Sequence, residues 1–456
     1  MMGLEQRRTV IIRGRGQREL DTLLPIFCSL VERTTPRKYE AFETIMIDEL
    51  RKVVPGQTEK TIRNYFTEIL GQLFANFYVE SGEAQASPLS LKLNQDGDQP
   101  FFFKVLILRL QFPNPSSKRH KYDEEVHDNL GVRPLVLVLQ VMRELEAHGI
   151  RVSFYELAYH ILNSLEALRG LIAPQVIARR IIEYRHVKFP YPDFSGSFDR
   201  QHIKESLNLL YLANLIRSDS DSYWLNSHEK KSIDFICATP ANQGLFRRRG
   251  EDESHFEFQN SWKRSWTSLA SLNLGDLQTS SSSFRSDRPQ ILVHGRPRRR
   301  ATDIGREGEL TVIDLENSRL REEFPDSNYE AKDLAHIRGI GYDIESVFHD
   351  HSEMHAKKHY IEVKSTLRVT KPDLAARSIV ESFVLTRSEK VAADTYGRSF
   401  SVYRLYIYVG GFSLIRINNL PGLQQKGLIK LQPDNWSAEY DPSQLLEHIE
   451  LLEGGD

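Results

Sequence analysis

The stretch YIEVKST, residues 360–366, constrains this chain more than any other. Tyr360, Ile361, Val363 and Ser365 alternate there with Glu362, Lys364 and Thr366, which is the pattern of a β-strand. Side chains on a strand point alternately to its two faces, so Glu362 and Lys364 share one face about 7 Å apart. Burying an acid beside a base on an otherwise apolar strand is costly unless the two pair or hold something. The surroundings have an α/β pattern. GREGELTVIDLENSRLREE, from Gly305, has a helical period that sets Leu310, Ile313 and Leu320 inward, with Glu309 near its start. HIRGIGYDIESVF is a Gly-rich turn into a short strand carrying Asp343, SFVLTRSEKVAADTYG is a short strand and a helix, and FSVYRLYIYVGG is a strong strand. The polar HDHSEMHAKKH between the first two strands reads as a loop. Its His349, His351, His355 and His359 share no ligand spacing, so a solvated or DNA-touching turn is expected there rather than zinc.

The residue types suit one reaction. Phosphodiester hydrolysis needs hard oxygen ligands to hold Mg²⁺ against a phosphate oxygen and an attacking water. Asp343 and Glu362 are the expected metal ligands. Lys364 points the same way and can orient or deprotonate the water and offset phosphate charge, and Glu309 can position a metal-bound water or a second metal. An Asp followed by Glu-x-Lys on a strand, with a Glu on the preceding helix, is the arrangement of PD-(D/E)XK nucleases.

The front half reads mainly as helices. Residues 39–54 have helical spacing (Phe42, Ile45, Met46, Leu50) and stop at Pro55-Gly56. Thr58 can cap TEKTIRNYFTEILGQL, which would present Lys60, Arg63 and Asn64 outward as groove-reading donors. Phe77, Tyr78 and Val79, a turn at Ser81-Gly82, and alternating Leu89, Leu91 and Leu93 then suggest a hairpin, completing a winged helix-turn-helix. A second such order follows. Pro134 opens a helix ending at Gly149, Ser153 caps the next, Pro174 opens QVIARRIIEYRH with Arg179, Arg180 and Arg185 exposed, and LIRSDSDSYWLN is strand, turn, strand. A generic helical bundle would produce much of the same pattern.

Charge follows this division. Of 60 Lys+Arg and 62 Asp+Glu, residues 301–456 hold 18 and 26, leaving 42 and 36 in the first 300, so the front is basic and the rear acidic. A polyanion suits the front. Residues 241–300 are the poorest in order signals: serine, proline and arginine concentrate in LFRRRGEDESH, TSSSSFRSDRPQ and GRPRRRATD, with a linker or basic strap from about Asp276. The expected divisions are 1–125 and 126–275 as two winged-helix-like recognition subdomains, 276–302 as linker and 303–456 as nuclease. No apolar stretch is long enough for a transmembrane helix and the N-terminus lacks a secretory h-region. Two cysteines, Cys28 and Cys237, fit a reducing cytosol, so a cytoplasmic protein is expected.

The blocks GREGE, GYDIES, YIEVKST, FVLTRSEKVAA and YRLYIYV resemble, in order and spacing, the domain at the C-terminus of NO VEIN proteins, over roughly residues 303–412. That resemblance implies a PD-(D/E)XK-like fold of bacterial restriction and defence proteins. It implies Glu309, Asp343, Glu362 and Lys364 as active-site residues, and Glu389 in LTRSEK as a further recurrent position. The front half resembles the recognition regions of two-domain type II restriction endonucleases, such as the type IIS enzymes of the BpuJI kind. The combined expectation is a mainly α recognition region followed by an α/β nuclease domain. Such a protein would be a site-specific, Mg²⁺-dependent type II endonuclease acting on double-stranded DNA, dimeric at least during cleavage and accompanied by a cognate methyltransferase. Two alternatives stay open from sequence: a DNA-binding regulator with an inactive nuclease-like domain, and a nuclease acting on RNA or modified DNA.

Overall fold

Hydroxyl residues set several of the helix starts. Thr58, Ser87, Ser153, Ser164, Ser254 and Thr386 each accept a hydrogen bond from a backbone N–H of the first turn that follows. The computed structural model describes residues 4–9, 17–54, 56–192, 194, 197–219, 222–266, 277, 304–337, 339–349, 356–374, 381–432, 436–440 and 449–454. The expected linker therefore falls outside the described residues, apart from Leu277, and so do His351 and His355.

The front of the chain twice sets a helix, a short strand and further helices ahead of a hairpin on which that strand lies. The first run is α1 (Gln17–Thr34), β1 (Arg37–Lys38), α2 (Tyr39–Val53), α3 (Glu59–Asn64, continued by π-helical Tyr65–Leu73) and the hairpin β2 (Phe77–Glu80) and β3 (Glu83–Ala86). β1 lies antiparallel on β3, giving the order β1–β3–β2. Next come α4 (Pro88–Asp96), α5 (Gln99–Arg109) and α6 (Arg119–His127). The second run is α7 (Pro134–Glu146), β4 (Val152–Ser153), α8 (Phe154–Leu157, continued by π-helical Ala158–Leu162), α9 (Leu165–Leu168), α10 (Pro174–His186), α11 (Ser197–Leu212), β5 (Ile216–Asp219) and β6 (Ser222–Leu225). Its short strand again lies on the hairpin, in the order β4–β6–β5. α12 (Lys230–Ala238) and α13 (His255–Ser265) complete this half. One apolar cluster runs through both modules, from Leu20 to Leu277.

Two local expectations fail here. Leu89, Leu91 and Leu93 belong to α4, not to a strand, because Ser87 caps and Pro88 opens a helix that buries Leu89 and Leu93 and leaves Leu91 outside. Residues 241–266 are better ordered than their composition suggested. α13 buries Trp262, and its Asn260 accepts from Val79 N at 2.6 Å and donates to Val79 O, fixing the helix to the first hairpin.

The rear half begins with α14 (Ile304–Glu323), then β7 (Lys332–Asp333), β8 (Ile344–His349), β9 (Ala356–Leu367), β10 (Glu381–Leu385), α15 (Arg387–Tyr396), β11 (Phe400–Tyr408), β12 (Gly411–Asn418), α16 (Leu420–Gln425), β13 (Ile429–Gln432), β14 (Trp436–Tyr440) and β15 (Ile449–Gly454). Six of the strands form a sheet in the order β15–β12–β11–β9–β8–β7, in which β9 and β11 are parallel and every other pair is antiparallel. β10, β14 and β13 make a second, antiparallel sheet. α14 covers the face of β9 and β11 that carries Ile361, Val363 and Leu405, while α15 packs its Ala392 and Ala393 with Val402 and Tyr406 on the opposite face. The buried seam of α14 is Glu307, Gly308, Val312, Glu316 and Leu320, so Leu310 and Ile313, expected inside, are only half-buried. Gly308 moves the seam, because a helix without a Cβ there can lie directly against Ser365.

Candidate active site

Asp343 stands just before β8, where the register pairs Ile344 with Ile361. Its backbone N–H donates to Ile361 O at 2.9 Å and its Oδ2 accepts from Val363 N at 2.8 Å, so main chain and carboxylate are both fastened to β9. The carboxyl groups of Asp343 and Glu362 lie near enough to act on one another electrostatically. Lys364 Nζ lies 2.8 Å from Glu362 Oε1 and 2.8 Å from Glu389 Oε2. Glu389 sits in the first turn of α15, in a reciprocal cap with Thr386. Three predicted residues, Asp343, Glu362 and Lys364, are thus brought together, and Glu389 joins them from a different element.

The cluster is electrostatically crowded. Burial raises the Glu362 carboxyl well above its ordinary range, and the Asp343 and Glu389 carboxylates push the same way against Lys364. Asp343 is raised chiefly by burial, with its bond from Val363 N and the Lys364 charge opposing. For Lys364, burial works against the ammonium but is outweighed by Glu362 and Glu389, so its proton is held more firmly than usual.

Glu309 is engaged elsewhere. Its Oε2 lies 2.8 Å from Arg306 Nη1, and the same nitrogen lies 2.9 Å from Asp333 Oδ1 on β7. His359, expected in a loop, is a buried strand residue at 2.8 Å from Ser401 Oγ, and His349 ends β8 stacked on Phe324. On the α14 face, fully buried Glu316 accepts from Arg319 Nη2 at 2.6 Å, Ser346 Oγ at 2.9 Å and Tyr403 Oη at 2.9 Å. This buried network ties helix to sheet and was not read from sequence, since its partners lie far apart along the chain.

Among the described residues no group of three or more His, Cys, Asp or Glu side chains is arranged to hold a metal ion. Two adjacent hard-oxygen carboxylates still fit Mg²⁺, which usually binds one or two carboxylates and takes its remaining ligands from water and substrate phosphate. The crowding of Asp343 and Glu362 is the kind of repulsion that a divalent cation relieves.

The far end of the same strand meets the front half of the chain. Leu367 N donates to Gly97 O at 2.9 Å, and Gly97 has φ +66° with Ser365 O so near that a Cβ would lie 2.8 Å from it. In the front half, Lys60 and Arg179 are exposed and Asn64 is half-buried. Arg63 is exposed and lies 3.3 Å from Glu59 and 3.9 Å from Glu43. Arg180 pairs with Glu166 at 3.0 Å. The fork of Arg185 is taken up by both oxygens of Glu156, at 2.5 and 2.6 Å, and by Arg151 O. Among the described residues no helix is long and apolar enough to cross a membrane.

Residues 308–412 match the family described as protein NO VEIN, C-terminal. No curated protein matches the chain. Among solved structures, one of pyrene- and phenanthrene-modified DNA in complex with the BpuJ1 endonuclease binding domain is similar at 33% sequence identity and a TM-score of 0.54, covering 58% of this chain and 98% of that one. Residues 5–266, more than half of the chain, match the family described as restriction endonuclease BpuJI, N terminal. By its front half, this chain belongs to the family of the BpuJI restriction endonuclease N-terminal domain.

Proposed function

We propose that the chain is a site-specific, Mg²⁺-dependent type II DNA endonuclease, of the IIS kind, in which residues 1–275 recognise double-stranded DNA and residues 303–456 cut it. The observation that carries the reading is the convergence of Asp343, Glu362 and Lys364 on one partly buried spot at the β8–β9 pair. A helix, three antiparallel strands and, after β10 of the second sheet, a helix and a strand parallel to the third support a PD-(D/E)XK core. The twice-repeated order of helices and hairpin supports winged-helix modules, and the DNA complex of the similar binding domain supports DNA as ligand.

Each residue then has a task. Asp343 and Glu362 would hold Mg²⁺, which when bound supplies Lewis-acid polarisation of the phosphate. Lys364 orients the attacking water and offsets charge that builds on the phosphate. Its strengthened hold on its proton favours the charge-offsetting role over that of general base. Glu309, tied to Arg306 and Asp333, acts at the rim. In recognition, Lys60, Arg63, Asn64 and Arg179 are the donors to groove and phosphate, whereas Arg180 and Arg185 are largely committed to Glu166 and Glu156. One such site per chain implies that two copies meet to cut both strands, and a cognate methyltransferase in the same cytoplasm would protect host DNA.

The test is incubation of the purified chain with unmodified phage DNA in Mg²⁺ and in EDTA. Discrete bands in Mg²⁺ alone are expected. DNA that is bound yet left intact in both conditions, with methylated DNA and RNA intact too, would favour a regulator.

A further inference from the structure

Lys364 is gripped from two sides by residues of different elements, Glu362 on its own strand and Glu389 on α15, each at 2.8 Å. We infer that Glu389 is a positioning residue, which keeps the Lys364 ammonium in place when Glu362 turns its charge to a divalent cation. The inference rests on the endonuclease reading above. A carboxylate that serves a dication has less charge left for a neighbouring lysine, and the dication itself repels that lysine. Without a second anion, the ammonium would swing away from the phosphate at the moment it is required.

Glu389 is built to be that anion. It lies on a different element from Glu362 and Lys364, and its Oε2 also accepts from Thr386 N at 3.0 Å, closing the reciprocal cap that starts α15. The carboxylate therefore cannot drift without giving up that capping hydrogen bond. The helix is pinned at both ends beside the cluster. At its start, Gly341 lies so close that a Cβ there would be 2.3 Å from Ser388 O, and φ of +82° already favours glycine. At its end, Tyr396 stacks on Tyr360 at 3.9 Å, and Tyr342 lies 4.8 Å from Tyr360. Gly341 and Tyr342 immediately precede Asp343, and Tyr360 shares the strand face of Glu362. The position of Lys364 is thus set by α15 as much as by β9.

The full-length chain tests this with E389Q, E389D and T386A. Three quantities are read: the single-turnover cleavage rate in Mg²⁺, DNA affinity in Ca²⁺, and Mn²⁺ affinity by electron paramagnetic resonance. E389Q should cut about 100-fold more slowly, with DNA and Mn²⁺ affinities within about threefold of wild type. E389D should recover part of the rate, and T386A, which weakens the cap but keeps the carboxylate, should stay within about fivefold. If E389Q does not fold, E389D carries the test through a partial loss of rate. A folded E389Q that cuts like wild type overturns the inference alone. Loss of Mn²⁺ binding in E389Q as complete as in E362Q also overturns it, because Glu389 would then be a ligand. A wild type that cuts nothing overturns the endonuclease reading and this inference with it.

Discussion

Gly308→Ala sets two effects of opposite sign against each other. Replacing a mid-helix glycine by alanine ordinarily stabilises by about 1 kcal/mol through backbone entropy. At Gly308, however, the new Cβ would lie 1.7 Å from Ser365 Oγ and 2.8 Å from Ser365 Cβ. Rotating the hydroxyl relieves the first overlap but not the second, so α14 or β9 must shift, at an overpacking cost of about 3 kcal/mol. The net expectation is a loss of about 2 kcal/mol, or roughly 4–8 °C in Tm for a domain of this size. The sign should reverse in a Ser365→Gly background. There the nearest remaining neighbour is Leu405 Cδ2 at 3.5 Å, an ordinary contact, so Gly308→Ala should raise Tm over S365G alone. A calorimetric double-mutant cycle measures this, with an expected coupling of about 3 kcal/mol. A higher Tm for Gly308→Ala in the wild-type background, or no change of sign, would refute the close approach of helix and strand.

Glu125 is buried and its carboxyl is pushed up to about 8, mainly by burial, with its bond from Asn114 N opposing, so the fold prefers the neutral acid. The stability it contributes is fully present below the ordinary carboxylate value and falls as pH rises toward 8. E125Q keeps an acceptor for Asn114 N without the charge. It should be more stable than wild type by about 1–3 kcal/mol at pH 8 and lose that advantage by pH 4, as denaturant titrations at both pH values would reveal. R63A should weaken DNA binding and reduce the salt slope by about one. R185M, which breaks the fork on Glu156, should cost about 1–3 kcal/mol of stability and leave the affinity of the folded chain nearly unchanged. Equal losses of DNA affinity in both variants would return Arg185 to the DNA face.

That Glu362 and Lys364 share a face was legible because strand alternation is strictly local, whereas Asp343 was read from its place ahead of Glu-x-Lys in the order of the blocks. Helix starts were legible for the same reason, since Thr58 and Ser153 bond their own first turns. What sequence could not supply were partners distant along the chain. LTRSEK announces the cap of α15, but that Glu389 reaches Lys364 depends on α15 packing against β9. Glu309 was placed on the right helix, while its direction is set by Arg306 and by Asp333 on a strand that follows. Leu310 and Ile313 were expected inside because hydrophobic period favours them. The seam instead follows Gly308, where a missing side chain permits contact, and Glu316, whose burial is balanced by Arg319, Ser346 and Tyr403. The Leu89–Leu93 alternation misled because Ser87-Pro88 is a stronger local signal than a two-residue period over five residues.

On the proposed endonuclease reading, one cluster at the β8–β9 pair hydrolyses the DNA that the front half binds. The most direct measurement is the single-turnover cleavage rate of wild type, Asp343→Ala and Lys364→Ala on one DNA fragment in Mg²⁺, with binding to that fragment measured in Ca²⁺. Both variants should bind it as tightly as wild type within about threefold and show no detectable cutting. Cutting by either variant at the wild-type rate would contradict the account.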